Sequence, residues 1–200
     1  MKYLFVFLLV SMSSIVISQN RYHVDNTTFA LNDTVLYLKY DMKPINGVLY
    51  NDIGDMGICV KGKKDGLWRE YYENGQLWYE YNYKDGKRDG LYRQWYENGQ
   101  LWYEINYKDD KQDGLLRQWY ENGQLETENY YKDGKSDGLG RGWYTNGQLF
   151  GEYYYKDGKR DGLTRRWYQN GQLSREYYYK DGELISKRCF DVDGKLKKCD

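Results

Sequence analysis

The chain copies one block of 24 residues five times without a gap, and no other feature restricts its fold as much. The copies occupy residues 66–89, 90–113, 114–137, 138–161 and 162–185; the second, GLYRQWYENGQLWYEINYKDDKQD, shows the pattern. Asp-Gly opens each copy, as at Asp65-Gly66 and Asp89-Gly90, and Asn-Gly recurs inside it at Asn74-Gly75, Asn98-Gly99, Asn122-Gly123, Asn146-Gly147 and Asn170-Gly171. A fixed period of this length marks a repeat architecture, in which each unit buries its apolar groups against its neighbours.

Each copy reads as a β-hairpin. Two short runs rich in Tyr, Trp and Leu, such as residues 91–96 and 101–107, flank the Asn-Gly pair, a strand composition bounded by turn residues. Asn-Gly between such runs predicts a two-residue type I′ turn, with positive φ at both residues. That loop would set Tyr96 opposite Leu101, Trp95 opposite Trp102 and Arg93 opposite Glu104. The same register pairs Arg69 with Glu80, Arg117 with Glu128, Arg141 with Glu152 and Arg165 with Glu176, opposite charges in every copy. Lys-Asp-Gly-Lys, as at residues 84–87, then turns the chain back. In the second copy Asp110 stands where the others have Gly, which predicts the weakest of these turns.

The predicted fold is all-β, an elongated, single-layer, twisted antiparallel meander of 24-residue hairpins with about ten strands and no crossovers. At roughly 4.8 Å per strand, five copies span about 50 Å. Leu91, Arg93, Trp95, Trp102, Glu104 and Asn106 should share one face; Tyr92, Gln94, Tyr96, Leu101, Tyr103, Ile105 and Tyr107 should share the other. Columns that never change, such as those of Leu67, Arg69, Tyr72, Leu77, Glu80 and Tyr83, are assigned to the scaffold. Others drift: Trp68 becomes Tyr92, Leu116, Gly140 and Thr164; Trp78 becomes Trp102, Glu126, Phe150 and Ser174; Tyr79 becomes Tyr103, Thr127, Gly151 and Arg175. Drift implies that packing does not dictate the residue. Such positions are either neutral surface or the part that touches a partner; on the second reading Trp68, Trp78, Tyr79, Trp102, Tyr103 and Phe150 are the candidate binding surface, since Tyr and Trp offer rigid amphipathic contact area.

Outside the five repeats, which with their lead-in span 62–185, the organisation is less regular. Residues 1–18 combine Lys2 with a short apolar core and read as a secretory signal peptide cleaved near Ser18. Residues 19–61 form an N-terminal cap region with a degenerate half-repeat, in which residues 34–40 resemble a strand. Asn26-Thr27-Thr28 and Asn32-Asp33-Thr34 fit the N-glycosylation pattern. Residues 186–200 form a degenerate C-terminal hairpin cap. Its Cys189 and Cys199 are expected to pair in an exported chain, directly opposite if the loop has odd length and offset by one if it has two residues; Cys59 is then left over.

Composition narrows the chemistry. Thirty Lys and Arg balance thirty Asp and Glu, so no electrostatic footprint for nucleic acid is present. One His, outside the repeats, and no convergent nucleophile and base argue against an enzyme. The glutamates each face an arginine, and the acidic turns are crowded by Lys and Arg, which argues against calcium; neither metal nor cofactor is expected. What remains is surface.

The motif G-L-x-R-x-W-Y-x-N-G-Q-L-x-x-E-x-x-Y-K-D-G-K-x-D, clearest at 90–113 and 162–185, resembles the bacterial variant of the MORN repeat, the repeat of the YwqK-type antitoxin family. The resemblance implies stacked hairpins and a non-catalytic binding or scaffolding role, and, for antitoxin members, neutralisation of a toxin by contact. The expected partner is a protein, with a glycan or cell-wall polymer as the alternative reading; membrane-surface binding is not expected from the mixed charge.

Overall fold

The computed structural model describes residues 20–29 and 35–199; the leader and the Asn32 sequon lie outside them. From the strand Gly47–Tyr50 to the strand Leu196–Lys197 the chain runs as an antiparallel meander, in which the short strands Lys111–Gln112, Lys135–Ser136 and Lys159–Arg160 pair with the same preceding strand as the strand that follows each of them. The strand Asn20–His23 lies parallel to Gly47–Tyr50 and makes the sheet mixed, with one crossover that the sequence reading lacks. Between these strands, Thr27–Phe29 and Leu36–Leu38 form a separate two-stranded sheet. No α-helix occurs among the described residues.

The Asn-Gly tip differs from the expected turn. Tyr96 N donates to Gln100 O at 2.8 Å and Gly99 N to Tyr96 O at 2.9 Å, and Gly99 has φ +85° while Asn98 keeps a negative φ. The loop is thus Glu97-Asn98-Gly99, a tight turn closed by a left-handed glycine, with the Asn98 side chain accepting from Gln100 N at 2.9 Å. Its register sets Trp95 opposite Leu101, not Trp102. One bulge later, Gln94 faces Tyr103 and Arg93 faces Glu104. The two offsets cancel, so every arginine–glutamate pair of the reading is present although the turn behind it was wrong. Trp78, Trp102, Glu126, Phe150 and Ser174 are the bulge residues.

The type I′ chemistry sits at the other turn. Asp85 and Gly86 have φ +52° and +86° between paired Lys84 and Lys87. Asp109 and Asp110 hold the same conformation at +48° and +66°, and the Asp110 carboxylate accepts from Arg88 N at 2.9 Å and from its Nε at 3.3 Å. These bonds offset strain that glycine would avoid.

Copies are tied by their own side chains. The hydroxyls of Tyr72, Tyr96, Tyr120 and Tyr144 donate to the carbonyls of Trp95, Trp119, Trp143 and Trp167, one copy on, at 2.7–2.8 Å. The Asp65, Asp113, Asp137 and Asp161 carboxylates accept from the backbone of Asp85, Asp133, Asp157 and Asp181. The last hairpin continues the scheme, with Tyr168 donating to Phe190 O at 2.9 Å. Cys189 and Cys199 form a disulfide with a Cα separation of 5.3 Å. The loop is odd, yet Cys189 faces Lys197, so the bridge runs diagonally instead of directly across.

Among the described residues, the buried side chains gather into a compact core at the N-terminal end. Leu36, Ile45, Leu49, Cys59 and Trp68 are all at most 5% exposed and pack together, with Tyr81 and Tyr83 against them. Trp68 Nε1 donates to Ile58 O at 3.0 Å, and the Lys64 ammonium lies 4.3 Å from its ring centre. Trp68 therefore leaves the candidate binding surface: the cap covers it.

Beyond the cap the sheet is one layer, but its faces differ. Ile105, Leu116 and Thr164 are buried on the face of Trp68, whereas Tyr130, Tyr154 and Tyr178 on the opposite face are 43–50% exposed. The more buried of the two faces is here called the inner face. Nor are the drifting columns free of packing. Gly142 and Gly151 face each other across the strands, and a methyl group added to either would overlap Phe150 or Tyr153 respectively. Glycine in one column is answered by a ring from another.

Candidate binding surface

The inner face of the first two copies is a continuous tyrosine surface. Tyr79 stacks on Tyr81 at 5.5 Å and 21°, Tyr81 lies 5.2 Å from Tyr92, and Tyr92 meets Tyr103 at 5.5 Å and Tyr107 at 6.0 Å, both edge to face. These separations are in the favourable range for aromatic pairs. They arise because residues facing one another across neighbouring strands share a side, and every second residue of the strands Leu77–Lys84, Lys87–Trp95 and Leu101–Lys108 points inward.

The rings enclose an open trough of about 460 Å³, closed at one side by Trp102 and bordered by Arg88, Gln94 and Gln118. Polar groups pin the rings: Gln94 Nε2 donates to Tyr79 Oη at 2.9 Å, Tyr92 Oη to Gln94 Oε1 at 3.1 Å, and Gln112 Nε2 to Tyr103 Oη at 3.2 Å. The Arg88 guanidinium rides 4.2 Å above Tyr107. Burial pushes the phenols of Tyr81, Tyr92 and Tyr103 well above the ordinary tyrosine range. They remain neutral hydroxyls throughout the physiological range, able to donate and accept hydrogen bonds at the edge of an apolar floor.

Of the candidate residues, Tyr79, Trp102 and Tyr103 converge on this trough. Trp78 flanks it, packed 4.3 Å from Tyr79 and 5.5 Å from Tyr72. Phe150 lies two copies away, against Tyr144 at 5.5 Å, where it fills the space over Gly142. The sequence reading does not select Tyr81, Tyr92, Tyr107 or the bordering Arg88, Gln94 and Gln118 as binding residues. The signal for Tyr92, Gln94 and Tyr107 is the face assignment itself, which sets them on one side with Tyr103.

The outer face carries the charge ladder. Arginine Nε meets glutamate carboxylate at 3.2, 2.8, 3.0, 3.1 and 3.1 Å in successive copies. Glu176 also receives Arg188, and these two arginines, Arg188 foremost, hold its carboxyl below the usual range against the opposing effect of desolvation. Each exposed pair contributes about 0.2–1 kcal/mol, so the ladder sets register more than stability. His23 lies in the cap, bonded to Asp52 at 3.0 Å. Among the described residues no group of three His, Cys, Asp or Glu side chains is placed to hold a metal ion, and no helix is long and apolar enough to cross a membrane.

Stacked hairpins with a patterned face define the class: a β-repeat scaffold. The chain belongs to the MORN repeat variant family, whose model matches residues 64–85, 88–109, 112–133, 136–157 and 160–181, more than half its length. Comparison with curated proteins finds no match. Among solved structures, the crystal structure of TarM is similar over 48% of this chain at 11% identity and a TM-score of 0.32; the match spans 19% of TarM.

Proposed function

We propose that this repeat scaffold is an exported, non-catalytic binding protein that holds an extended segment of a partner protein along its inner face. The observation that carries the reading is the trough between Tyr79, Tyr92, Trp102 and Tyr103: contiguous rings, pinned by glutamine amides, that expose apolar floor beside neutral hydroxyls. Such anchors dominate binding energy at protein interfaces. Residues 1–18, read as a leader, and the Cys189–Cys199 bridge support export to an oxidising compartment. An immunity-like role, in which the bound partner is a toxin, is one form of the same reading.

A glycan is the second reading, favoured by the combination of ring faces with Gln94, Gln118 and Arg88 at their border. The test immobilises the chain from residue 19 onward, captures partners from the producing cell's envelope, and repeats the capture with Tyr92→Ala and Tyr103→Ala. Recovery of one protein in stoichiometric amount, lost on both substitutions while each variant keeps its thermal midpoint within a few degrees, supports the protein reading. Saturable binding on a sugar panel, lost on Trp78→Ala and Trp102→Ala, would replace it with the glycan reading.

A further inference from the structure

The drifting columns of the inner face change in order along the array. One runs Glu70, Gln94, Gln118, Gly142, Arg166; its cross-strand neighbour runs Tyr79, Tyr103, Thr127, Gly151, Arg175. Tyrosine at one end gives way to arginine at the other. Arg166 and Arg175 stand directly opposite each other on neighbouring strands, a like-charge arrangement that destabilises a sheet. Arg160 shares the face, its guanidinium 5.2 Å from the Tyr153 ring and 5.4 Å from that of Tyr179, and Lys187 joins it opposite Tyr177.

The outer-face arginines of these copies have glutamate partners, Arg141 with Glu152 and Arg165 with Glu176. Arg160, Arg166 and Arg175 have no carboxylate partner among the described residues, whose ion pairs at this end involve Lys180 and Arg188 instead. Two further polar atoms are left over at the same place: Thr164 Oγ1, on a fully buried residue, and Arg166 Nε are buried without a hydrogen-bond partner. A buried donor left unmade costs about 1–3 kcal/mol. Between Phe150, Arg166, Ser174 and Arg175 opens a hollow of about 250 Å³.

We infer that this basic end of the inner face receives the carboxylates of an acidic segment of the partner protein, in continuity with the tyrosine trough. The inference rests on the reading above for the partner's being a protein. Arg160 donates to Tyr179 Oη at 3.5 Å and Arg166 lies 5.8 Å from the Tyr153 ring, contacts with neutral groups only. Guanidinium forks bind carboxylates through paired charge-assisted hydrogen bonds, which would give these arginines the carboxylates they lack and offset the Arg166–Arg175 repulsion. From the trough in the second copy to the hollow in the fifth is about 30 Å, near nine residues of extended chain. A nucleic acid strand fits worse, since it would need a row of basic groups along the trough, whose lining holds Arg88 alone among tyrosines, a tryptophan and glutamines.

The chain from residue 19 onward is titrated at low ionic strength with fluorescein-labelled octaglutamate, octalysine and eight-nucleotide oligothymidylate, and with phosphatidylserine vesicles. Octaglutamate alone should bind and should raise the thermal midpoint. Arg175→Glu, which gives Arg166 an internal partner, should raise the midpoint of the free protein while weakening octaglutamate about tenfold or more. Arg175→Gln, which only removes the repulsion, should weaken it less. Octaglutamate binding unchanged in Arg175→Glu, no binding by the unsubstituted chain, or tighter binding of oligothymidylate or vesicles would overturn the inference. Any of these failures leaves the tyrosine trough to be judged by its own partner capture.

Discussion

Tyr120 shows why some positions never vary. Its hydroxyl donates to the carbonyl of Trp143 in the next copy at 2.8 Å, a bond that phenylalanine would keep in shape but not in chemistry. Tyr120→Phe is expected to cost about 1 kcal/mol in urea denaturation, mostly from the carbonyl left unpaired. Gly142 shows the reverse case, a position that varies and is nonetheless constrained. A methyl group there meets the ring of Phe150. Gly142→Ala should destabilise by about 1–3 kcal/mol, and Phe150→Leu in the same chain should recover part of the loss; equal losses in both backgrounds would refute the contact. The fixed tyrosine column was legible in the sequence because identity alone reveals it. The exchange of volume between Gly142 and Phe150 was not, because it depends on which residues of different columns meet, and the bulge at Phe150 shifts that meeting by one place.

Individual hairpins owe their register to two turns of different chemistry. Alternating aromatic runs bounded by Asn-Gly and Asp-Gly made the strands readable, and opposite charges at Arg93 and Glu104 made the register readable. The turn types were not, because Asn-Gly serves both a two-residue loop and a longer loop closed by glycine; only the backbone angles of Asn98 and Gly99 distinguish them. The strands that carry Tyr81, Tyr92 and Tyr103 also set a pH response. Burial raises these phenols above their unfolded value, so the folded state keeps protons that the unfolded chain has already released above about pH 10. Their contribution is complete below that pH and is lost as pH rises further. Cys59, pushed up to about 11 by burial in the cap core, acts in the same direction from about pH 8.5 upward. The thermal midpoint should therefore fall steeply on the alkaline side, and ultraviolet titration should show a group of tyrosines ionising only as the fold is lost. Normal ionisation of all 25 tyrosines in the intact protein would contradict this burial.

At the scale of the molecule, the array gains its stability from contacts between neighbouring copies and from a core at its N-terminal end, the cluster of Leu36, Ile45, Leu49, Cys59 and Trp68. Repetition made the architecture legible from sequence, and the less regular residues 19–61 read as a cap, but the cap's packing was not legible: its core joins residues 36, 45 and 49 to Trp68 in the first copy, contacts that no period announces. The same cap removes Trp68 from the surface and places the tyrosine trough in the copies beside it. The central functional claim is that the inner face makes the contact. Site-specific photo-cross-linking in the producing cell tests it most directly, with benzoylphenylalanine placed at Tyr103 on the inner face or at Tyr154 on the outer. A partner protein trapped from position 103 and absent from position 154 is the expected result; trapping from position 154 alone would contradict the account.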